Sequence, residues 1–207
     1  KSIYGHNKIW DANYQDYLKR LGLDNNGGDM GRVYGSQWRN WRSHDGRQID
    51  QLQEAINSIK TNPQSRRIIV NAWNPGETEM DQVALPPCHC FFQFYVANNK
   101  LSLHMYQRSA DMFLGVPFNI ASYSLLLHMI AKITSLEPWE FVHTIGDAHI
   151  YLDAVAQVKE QISREPLPLP ELHIEDRGQA SIDDFIMSDF ILADYQCHQA
   201  IKARMAV

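Results

Sequence analysis

The sequence predicts an α+β domain, with helices packed on one face of a mixed, largely antiparallel sheet. Strand-like segments come in clusters, and helical segments lie between the clusters. One of the helical segments is apolar on nearly every face, as expected for a helix buried against a sheet. With 207 residues, of which 44% are hydrophobic, the chain has the length and apolar content of a single domain, residues 1–207.

The first predicted elements are a helix and a group of strands. Apolar residues recur at helical spacing over residues 49–59, and Thr61-Asn62-Pro63 ends the pattern. The segments rich in β-branched and aromatic residues, or with clean alternation, are 68–73, 90–96 and 101–106. Because Asn98-Asn99 separates the last two, they predict a β-hairpin.

The second half of the chain predicts further helices and short strands. These are a helix over 120–135, a strand over 139–144, a helix over 150–164 and strands over 172–174 and 190–192. Pro166, Pro168 and Pro170 keep the intervening chain extended. Since these helices cover one sheet face, we expect the other face to form the interface of a symmetric homodimer.

Charge and composition argue against several classes of protein. The net charge is −5 with acidic and basic residues interspersed, so the basic stripe typical of nucleic-acid binding is missing. The longest apolar stretch, 122–133, contains His128 and Lys132 and is too short to span a membrane. Three cysteines, of which Cys88 and Cys90 are too close for an ordinary disulfide, indicate reduced thiols. We therefore expect a cytoplasmic protein with no membrane partner and no need for nucleic acid.

Cys88 is the candidate nucleophile. It follows two prolines directly before a strand, a rigid setting that can hold a side chain in one place. An ordinary thiol has a pKa of about 8.5, so a reactive one needs nearby positive charge, for which Arg108 is the candidate. The alternative is a buried cysteine that packs as a small apolar residue, which Cys90 fits. A metal bound by Cys88, His89 and Cys90 would lack a second Cys/His pair at zinc spacing, so we expect no metal.

Further polar residues could bind a phosphorylated nucleotide. They are Arg66, Arg67, Arg108, Ser109, Asp111, Asn119, His149 and Tyr151. Guanidinium groups match phosphate oxygens, and a serine hydroxyl adds a donor. The amide of Asn119 could pair with the edge of uracil, or the residue could cap a helix. Taken singly, each of these residues also has an ordinary structural interpretation, such as a surface charge, a cap or a turn.

Taken together, these residues resemble the thymidylate synthase family. The resemblance extends from Ile9 to Val207 and is carried by VYGSQWR (33–39), SRRII (65–69), LPPCH (85–89), YQRSADMFLGVPFNIASY (106–123), GDAHIY (146–151) and MAV (205–207). It implies that Cys88 adds to C6 of deoxyuridylate. It also implies that 5,10-methylenetetrahydrofolate supplies carbon and hydride as co-substrate, without a metal, so that thymidylate and dihydrofolate form.

The resemblance also implies a role for each site residue. Catalytic roles fall to Cys88, Arg108, Tyr34 and Asn119, with Tyr34 helping to move the C5 proton. Deoxyuridylate would be bound by Arg66, Arg67, His89, Gln107, Ser109, Asp111, Asn119, His149 and Tyr151. The reduced folate would be bound by Trp10, Asp111, Gly115, Phe118 and Val207. Arg66 and Arg67 would reach the phosphate site of a second copy, which makes a homodimer the active unit.

The chain departs from the family pattern in three places. The family's upstream segment, with a phosphate-binding arginine and a catalytic glutamate, has no counterpart here, so we expect a segment before Lys1 and little turnover without it. Residues 195–199 read Tyr-Gln-Cys-His-Gln where the family has a proline-flanked histidine, and Arg32 stands where a proline is common.

Two alternative functions stay open. One is a deoxyuridylate hydroxymethylase, and the other is a non-catalytic nucleotide- or RNA-binding homologue.

Overall fold

The structure is a computed structural model that describes residues 10–79 and 81–204. Its helices are α1 (Asp11–Leu21), α2 (Tyr34–Arg39), α3 (Gln51–Thr61), α4 (Gly115–Thr134) and α5 (Val155–Ile162). Its strands are β1 (Trp41–Arg42), β2 (Gln48–Ile49), β3 (Ile69–Asn71), β4 (His89–Ala97), β5 (Lys100–Asp111), β6 (Glu137–His149), β7 (Glu171–Ile174) and β8 (Phe190–Ala193). The predicted α+β class is confirmed.

The main sheet has four strands in the order β3-β4-β5-β6. The pairs β3–β4 and β4–β5 are antiparallel, whereas β5–β6 is parallel. A parallel pair needs a long crossover connection, and α4 provides it. The sheet is therefore mixed and largely antiparallel, as predicted.

The predicted hairpin is formed by β4 and β5. Asn98 and Asn99 have φ values of 51° and 61°, so both turn residues adopt the left-handed conformation that two-residue hairpins favour. Buried and exposed residues alternate along both strands, since successive side chains of a strand point to opposite faces.

The hydrophobic core lies between the sheet and the helices α3 and α4. The sheet contributes Phe92, Phe94, Leu101, Leu103 and Met105, and the helices contribute Leu52, Ile56, Ile59, Tyr123, Leu127 and Ile130. Contrary to the prediction for residues 122–133, α4 is long and apolar enough to cross a membrane by length and composition. One face of it, with Tyr123, Leu127 and Ile130, is packed in the core. The prediction of a helix buried against a sheet is confirmed.

Helix α4 begins at Gly115, five residues before the predicted start at residue 120. Pro117 lies in its first turn, where a proline disrupts no helical hydrogen bond, so the helix extends through it. As a result Asn119 lies inside the helix. It does not occupy the capping position that one interpretation gave it.

Strand β6 is longer than the predicted segment 139–144, because its pairing with β5 continues to Asp111 and His149. Each of its residues is at least partly exposed, and among the described residues β6 forms the edge of the sheet. A Cβ on Gly146 would lie 2.8 Å from Oη of Tyr106 and 3.1 Å from the carbonyl oxygen of Arg108. A larger residue at 146 would require the ring of Tyr106 to shift and β5 and β6 to separate by a few tenths of an ångström, so glycine suits this close approach.

The outer face of the sheet, opposite the core, carries large apolar side chains. Ile69, Phe91, Tyr95, Trp139 and Val142 are all exposed on it or at its rim. Nζ of Lys100 lies 3.2 Å from the ring centroid of Trp139. This outer face is the surface for which a dimer interface is predicted.

Arg32 forms an ion pair with Glu77. Its Nε donates to Oε2 of Glu77 at 2.9 Å, and its Nη2 donates to the carbonyl oxygen of Asn40 at 2.6 Å. Hydrogen bonds from Gln37 and Arg32 outweigh the effect of burial and lower the pKa of Glu77. The pair therefore ties the loop after β3 to helix α2.

The last part of the chain folds as a small antiparallel pair, β7 with β8, which confirms the two late strands. The helix predicted over 150–164 is shorter: a 3-10 turn over Leu152–Ala154 precedes α5. Asp189, 1% exposed, accepts hydrogen bonds from Nε and Nη2 of Arg177 at 2.5 and 2.7 Å. This ion pair fixes the chain just before β8.

Candidate active site

Cys88 lies directly before β4, and Arg108 of the neighbouring strand β5 is in contact with it. Nε and Nη2 of Arg108 donate to the carbonyl oxygens of Pro87 and Pro86 at 2.9 and 3.0 Å. Nη2 also lies 3.9 Å from Sγ of Cys88. The hairpin thus brings together the thiol and the guanidinium group that the sequence singled out.

Tyr34, the first residue of α2, holds the backbone of this turn. Its hydroxyl oxygen accepts hydrogen bonds from the backbone N–H groups of Cys88 and His89, at 2.8 and 3.4 Å. Burial raises the pKa of Tyr34 well above its usual value, so the phenol stays protonated. The hydroxyl proton of Tyr34 is not used in these two bonds, so the hydroxyl group can donate it towards the sulfur of Cys88.

The thiol of Cys88 is half-buried, and opposing effects act on it. Burial raises its pKa above the ordinary value, while the charge of Arg108 and a hydrogen bond with Tyr34 act to lower it. Burial has the larger effect, so the net shift is upward. The resting site therefore holds a thiol beside the groups that can stabilise its thiolate.

A line of polar side chains lies under α4, beside this thiol. Nε2 of Gln107 donates to the carbonyl oxygen of Ser109 at 2.8 Å and to Oδ1 of Asn119 at 3.1 Å. Oε1 of Gln107 lies 2.9 Å from Nε2 of His143. Gln107 is only 3% exposed, so these bonds fix the position of its amide.

His89 is packed among aromatic rings and is neutral near pH 7. Its ring centroid lies 4.9 Å from that of Tyr34 and 5.2 Å from that of Tyr123. Burial lowers the pKa of His89 to about 4, although a hydrogen bond with Asn119 acts in the opposite direction. A neutral imidazole next to Asn119 can still donate or accept a hydrogen bond.

The residues assigned to the folate lie around the start of α4, with two exceptions. Oδ1 of Asp111 accepts from the backbone N–H of Phe113 at 3.0 Å, so this carboxylate forms a turn, as its alternative interpretation held. A Cβ on Gly115 would lie 3.5 Å from Cβ of Asp111. Phe118 is 63% exposed.

The two exceptions are Trp10 and Val207. Trp10 lies directly before α1, in another part of the chain, and is 39% exposed. Val207 lies outside the described residues.

His149 and Tyr151, which the resemblance assigns to deoxyuridylate, lie at the end of β6. The parallel pairing sets His149 opposite Asp111, which places the nucleotide and folate candidates at the same end of the sheet. Nδ1 of His149 is 3.3 Å from Oδ1 of Asp147, and the rings of His149 and Tyr151 are 5.1 Å apart, edge to face.

Arg66 and Arg67 do not approach Cys88 within one chain. They precede β3 and are exposed, and the carbonyl oxygen of Ile68, the next residue, accepts from the backbone N–H of Phe94. Phe94 is six residues along the chain from Cys88, which corresponds to roughly 20 Å of extended strand. The structure therefore separates this arginine pair from the other residues assigned to the nucleotide.

Sequence reasoning did not identify two neighbours of the site. The guanidinium carbon of Arg108 lies 5.4 Å from the ring centroid of Trp73. His143 contacts Gln107 from β6. In the sequence, His143 could have been noticed as a polar side chain on the core-facing side of a predicted strand. Nothing in the sequence pointed to Trp73. Among the described residues, no group of three His, Cys, Asp or Glu side chains is arranged to hold a metal ion.

Comparison with known protein families gives a match over almost the entire chain. The sequence model of the family described as "Thymidylate synthase" matches residues 4–207. The match includes Cys88, Arg108 and Asn119, the residues that the fold brings together beneath α4.

Proposed function

The chain belongs to the thymidylate synthase family, and we propose that it converts deoxyuridylate to thymidylate with 5,10-methylenetetrahydrofolate as co-substrate. The observation that carries this proposal is the contact between Sγ of Cys88 and the guanidinium group of Arg108, at 3.9 Å. A thiol held against a fixed positive charge is the arrangement that nucleophilic addition requires.

The covalent step follows from this contact and from Asn119. The thiolate of Cys88 forms a bond to C6 of the pyrimidine, and the C5=C6 electron pair moves towards the C4 carbonyl, so that negative charge develops on O4. An amide donor of Asn119 placed at O4 stabilises that charge. Arg108 stabilises the thiolate before the bond forms.

The folate would be held by the residues around the start of α4. The ring of Phe118 offers an apolar surface, and Asp111 offers a carboxylate for N–H donors. When bound, the folate supplies the one-carbon unit and the hydride that together become the methyl group.

The nucleotide phosphate would be bound by Arg108 and Ser109 of one copy and by Arg66 and Arg67 of another. The exposed position of Arg66 and Arg67, far along the strand from Cys88, supports a contribution across an interface. The apolar outer face of the sheet is the surface that would pair in such a homodimer. We expect the protein to act in the cytoplasm.

The deciding experiment identifies the products. The full-length protein is incubated with deoxyuridylate and 5,10-methylenetetrahydrofolate, and the products are analysed by chromatography and mass spectrometry. Thymidylate with dihydrofolate supports the proposal. A hydroxymethyl nucleotide with tetrahydrofolate would instead identify a hydroxymethylase.

Covalent capture separates an enzyme from a binding homologue. Incubation with 5-fluorodeoxyuridylate and the folate should add the mass of both ligands to the wild type and to Cys197→Ser, which alters an exposed free cysteine. Cys88→Ala should gain no mass. A wild type without adduct would indicate a non-catalytic homologue.

A further inference from the structure

Three polar side chains form a line from the edge strand β6 to helix α4. Gln107 of β5 is paired with Ile145 of β6, and His143 lies two residues before Ile145, so its side chain is on the same sheet face as that of Gln107. The hydrogen bonds run from His143 to Gln107 at 2.9 Å and from Gln107 to Asn119 at 3.1 Å.

The direction of these bonds is fixed by one backbone carbonyl group. The carbonyl oxygen of Ser109 can only accept a hydrogen bond, so the atom of Gln107 that faces it must be the nitrogen Nε2. Oε1 of Gln107 therefore faces His143, and the imidazole must donate from Nε2. The remaining hydrogen of the Gln107 amide points to Asn119, which meets it with Oδ1.

Oδ1 of Asn119 thus faces Gln107, and the imidazole of His89 is a further hydrogen-bond partner of Asn119. The amide atom left for a group that approaches from the site is Nδ2. Nδ2 is a donor only. Uracil has a carbonyl oxygen at C4, which accepts such a bond. Cytosine has an amino group at C4, whose hydrogens would face those of Nδ2.

We propose that His143 is a positioning residue that acts through Gln107 to hold Nδ2 of Asn119 towards the 4-position of the pyrimidine, and so favours a 4-carbonyl over a 4-amino base. This inference rests on the proposed function, because it assumes that a pyrimidine nucleotide binds beside Cys88.

The donor of His143 matters because Gln107 is buried. With 3% of its surface exposed, Gln107 cannot replace a lost partner of Oε1 with bulk water. Without His143 the amide of Gln107 gains by turning to other partners, and only His89 is then left to fix the orientation of Asn119. The ring of His143 is held in place by Phe141, whose centroid is 5.5 Å away.

The first test measures the tautomer of His143 in the nucleotide-free wild type by ¹H–¹⁵N correlation spectroscopy near pH 7.5. His143→Phe serves to assign the signal. A proton on Nε2 is expected. A proton on Nδ1 alone would show that His143 does not donate to Gln107 and would overturn the inferred direction of these hydrogen bonds. This result does not depend on which reaction the enzyme catalyses.

The second test compares the dissociation constants of deoxyuridylate and deoxycytidylate by titration calorimetry. His143→Phe keeps a ring against Phe141 without a donor, and His143→Gln retains an N–H donor. We expect the preference for deoxyuridylate to fall about fivefold to tenfold in His143→Phe and to be largely retained in His143→Gln, because one hydrogen bond sets the difference.

The outcomes of the second test separate the two proposals. An unchanged preference in a folded His143→Phe would overturn the positioning role and leave the proposed function intact. A wild type that binds neither nucleotide would overturn the proposed function. If His143→Phe does not fold, the positioning role is judged from the tautomer of His143 in the wild type and from the preference of His143→Gln for deoxyuridylate over deoxycytidylate.

Discussion

Cys88 is surrounded by groups that act on its thiol in opposite directions. Burial raises its pKa, whereas the charge of Arg108 and the hydroxyl of Tyr34 act to lower it. A thiol with a raised pKa is little ionised in the resting site, which protects it from indiscriminate reaction. The nearby guanidinium group supplies stabilisation when the thiolate is needed.

Replacement of Arg108 by glutamine tests this balance. Arg108→Gln removes the charge but keeps an amide donor for the carbonyl groups of Pro86 and Pro87. The pKa of Cys88 should rise further, and its rate of alkylation by iodoacetamide at pH 8 should fall roughly threefold to tenfold. Peptide mass spectrometry measures the rate, with the exposed thiol of Cys197 as internal reference. Equal rates at Cys88 would contradict the role of the charge.

At the scale of elements, α3 depends on a cap that also joins distant segments. Oδ1 of Asp50 accepts from the backbone N–H of Gln53 at 2.9 Å. Arg39 donates to Asp50 at 2.8 Å and also to both carboxylate oxygens of Asp183, far along the chain. The start of α3 is thereby tied to the end of α2 and to the segment before β8.

Two substitutions at Asp50 separate the cap from the charge. Asp50→Ala loses both and should reduce the free energy of unfolding by about 1–2 kcal/mol. Asp50→Asn keeps a capping oxygen and should lose less than about 1 kcal/mol, since the pair with Arg39 is partly exposed. Urea unfolding curves with equal slopes measure both values. Equal losses would show that the cap contributes nothing.

The sequence predicts elements well where the pattern is local. The periodicity of α3, the alternation of the hairpin and the apolar character of α4 each identify their segment, because burial on one face dictates the residues. Helix α2 is six residues long and shows no such period. The second half of β6 contains Gly146 and Asp147, and it is a strand because β5 pairs with it.

The same distinction holds for the site. Cys88, Arg108 and Asn119 are recognisable as residues, and the fold does bring them together. His143 lies near them because β5 and β6 are parallel and pair in this register. This long-range pairing cannot be predicted from a local sequence pattern. The upward shift of the pKa of Cys88 likewise depends on burial by distant segments.

At the scale of the molecule, the outer face of the sheet is the surface on which the proposed homodimer would form. It exposes Ile69, Tyr95 and Val142 to solvent, although each would be stabilised by burial. Arg66 and Arg67 precede β3 at the end of the sheet opposite Cys88. A pairing of outer faces would cover the apolar residues and bring these arginines to another copy's site.

Sedimentation velocity tests this assembly. The wild type should sediment as a dimer at micromolar concentration, and Tyr95→Asp should sediment as a monomer, since the pairing would bury an unpaired charge. Leu169→Asp, at a residue that is 91% exposed and outside the sheet, should remain a dimer. A monomeric wild type would contradict the predicted interface.

The crossover through α4 has a consequence for how the protein folds. Cys88 and Arg108 lie on one hairpin closed by a two-residue turn, so their contact involves short-range loop closure and can form early. His143 reaches Gln107 only after the twenty-residue helix has returned the chain to the sheet. During synthesis and refolding the nucleophile and its guanidinium partner would thus come together before His143 reaches Gln107.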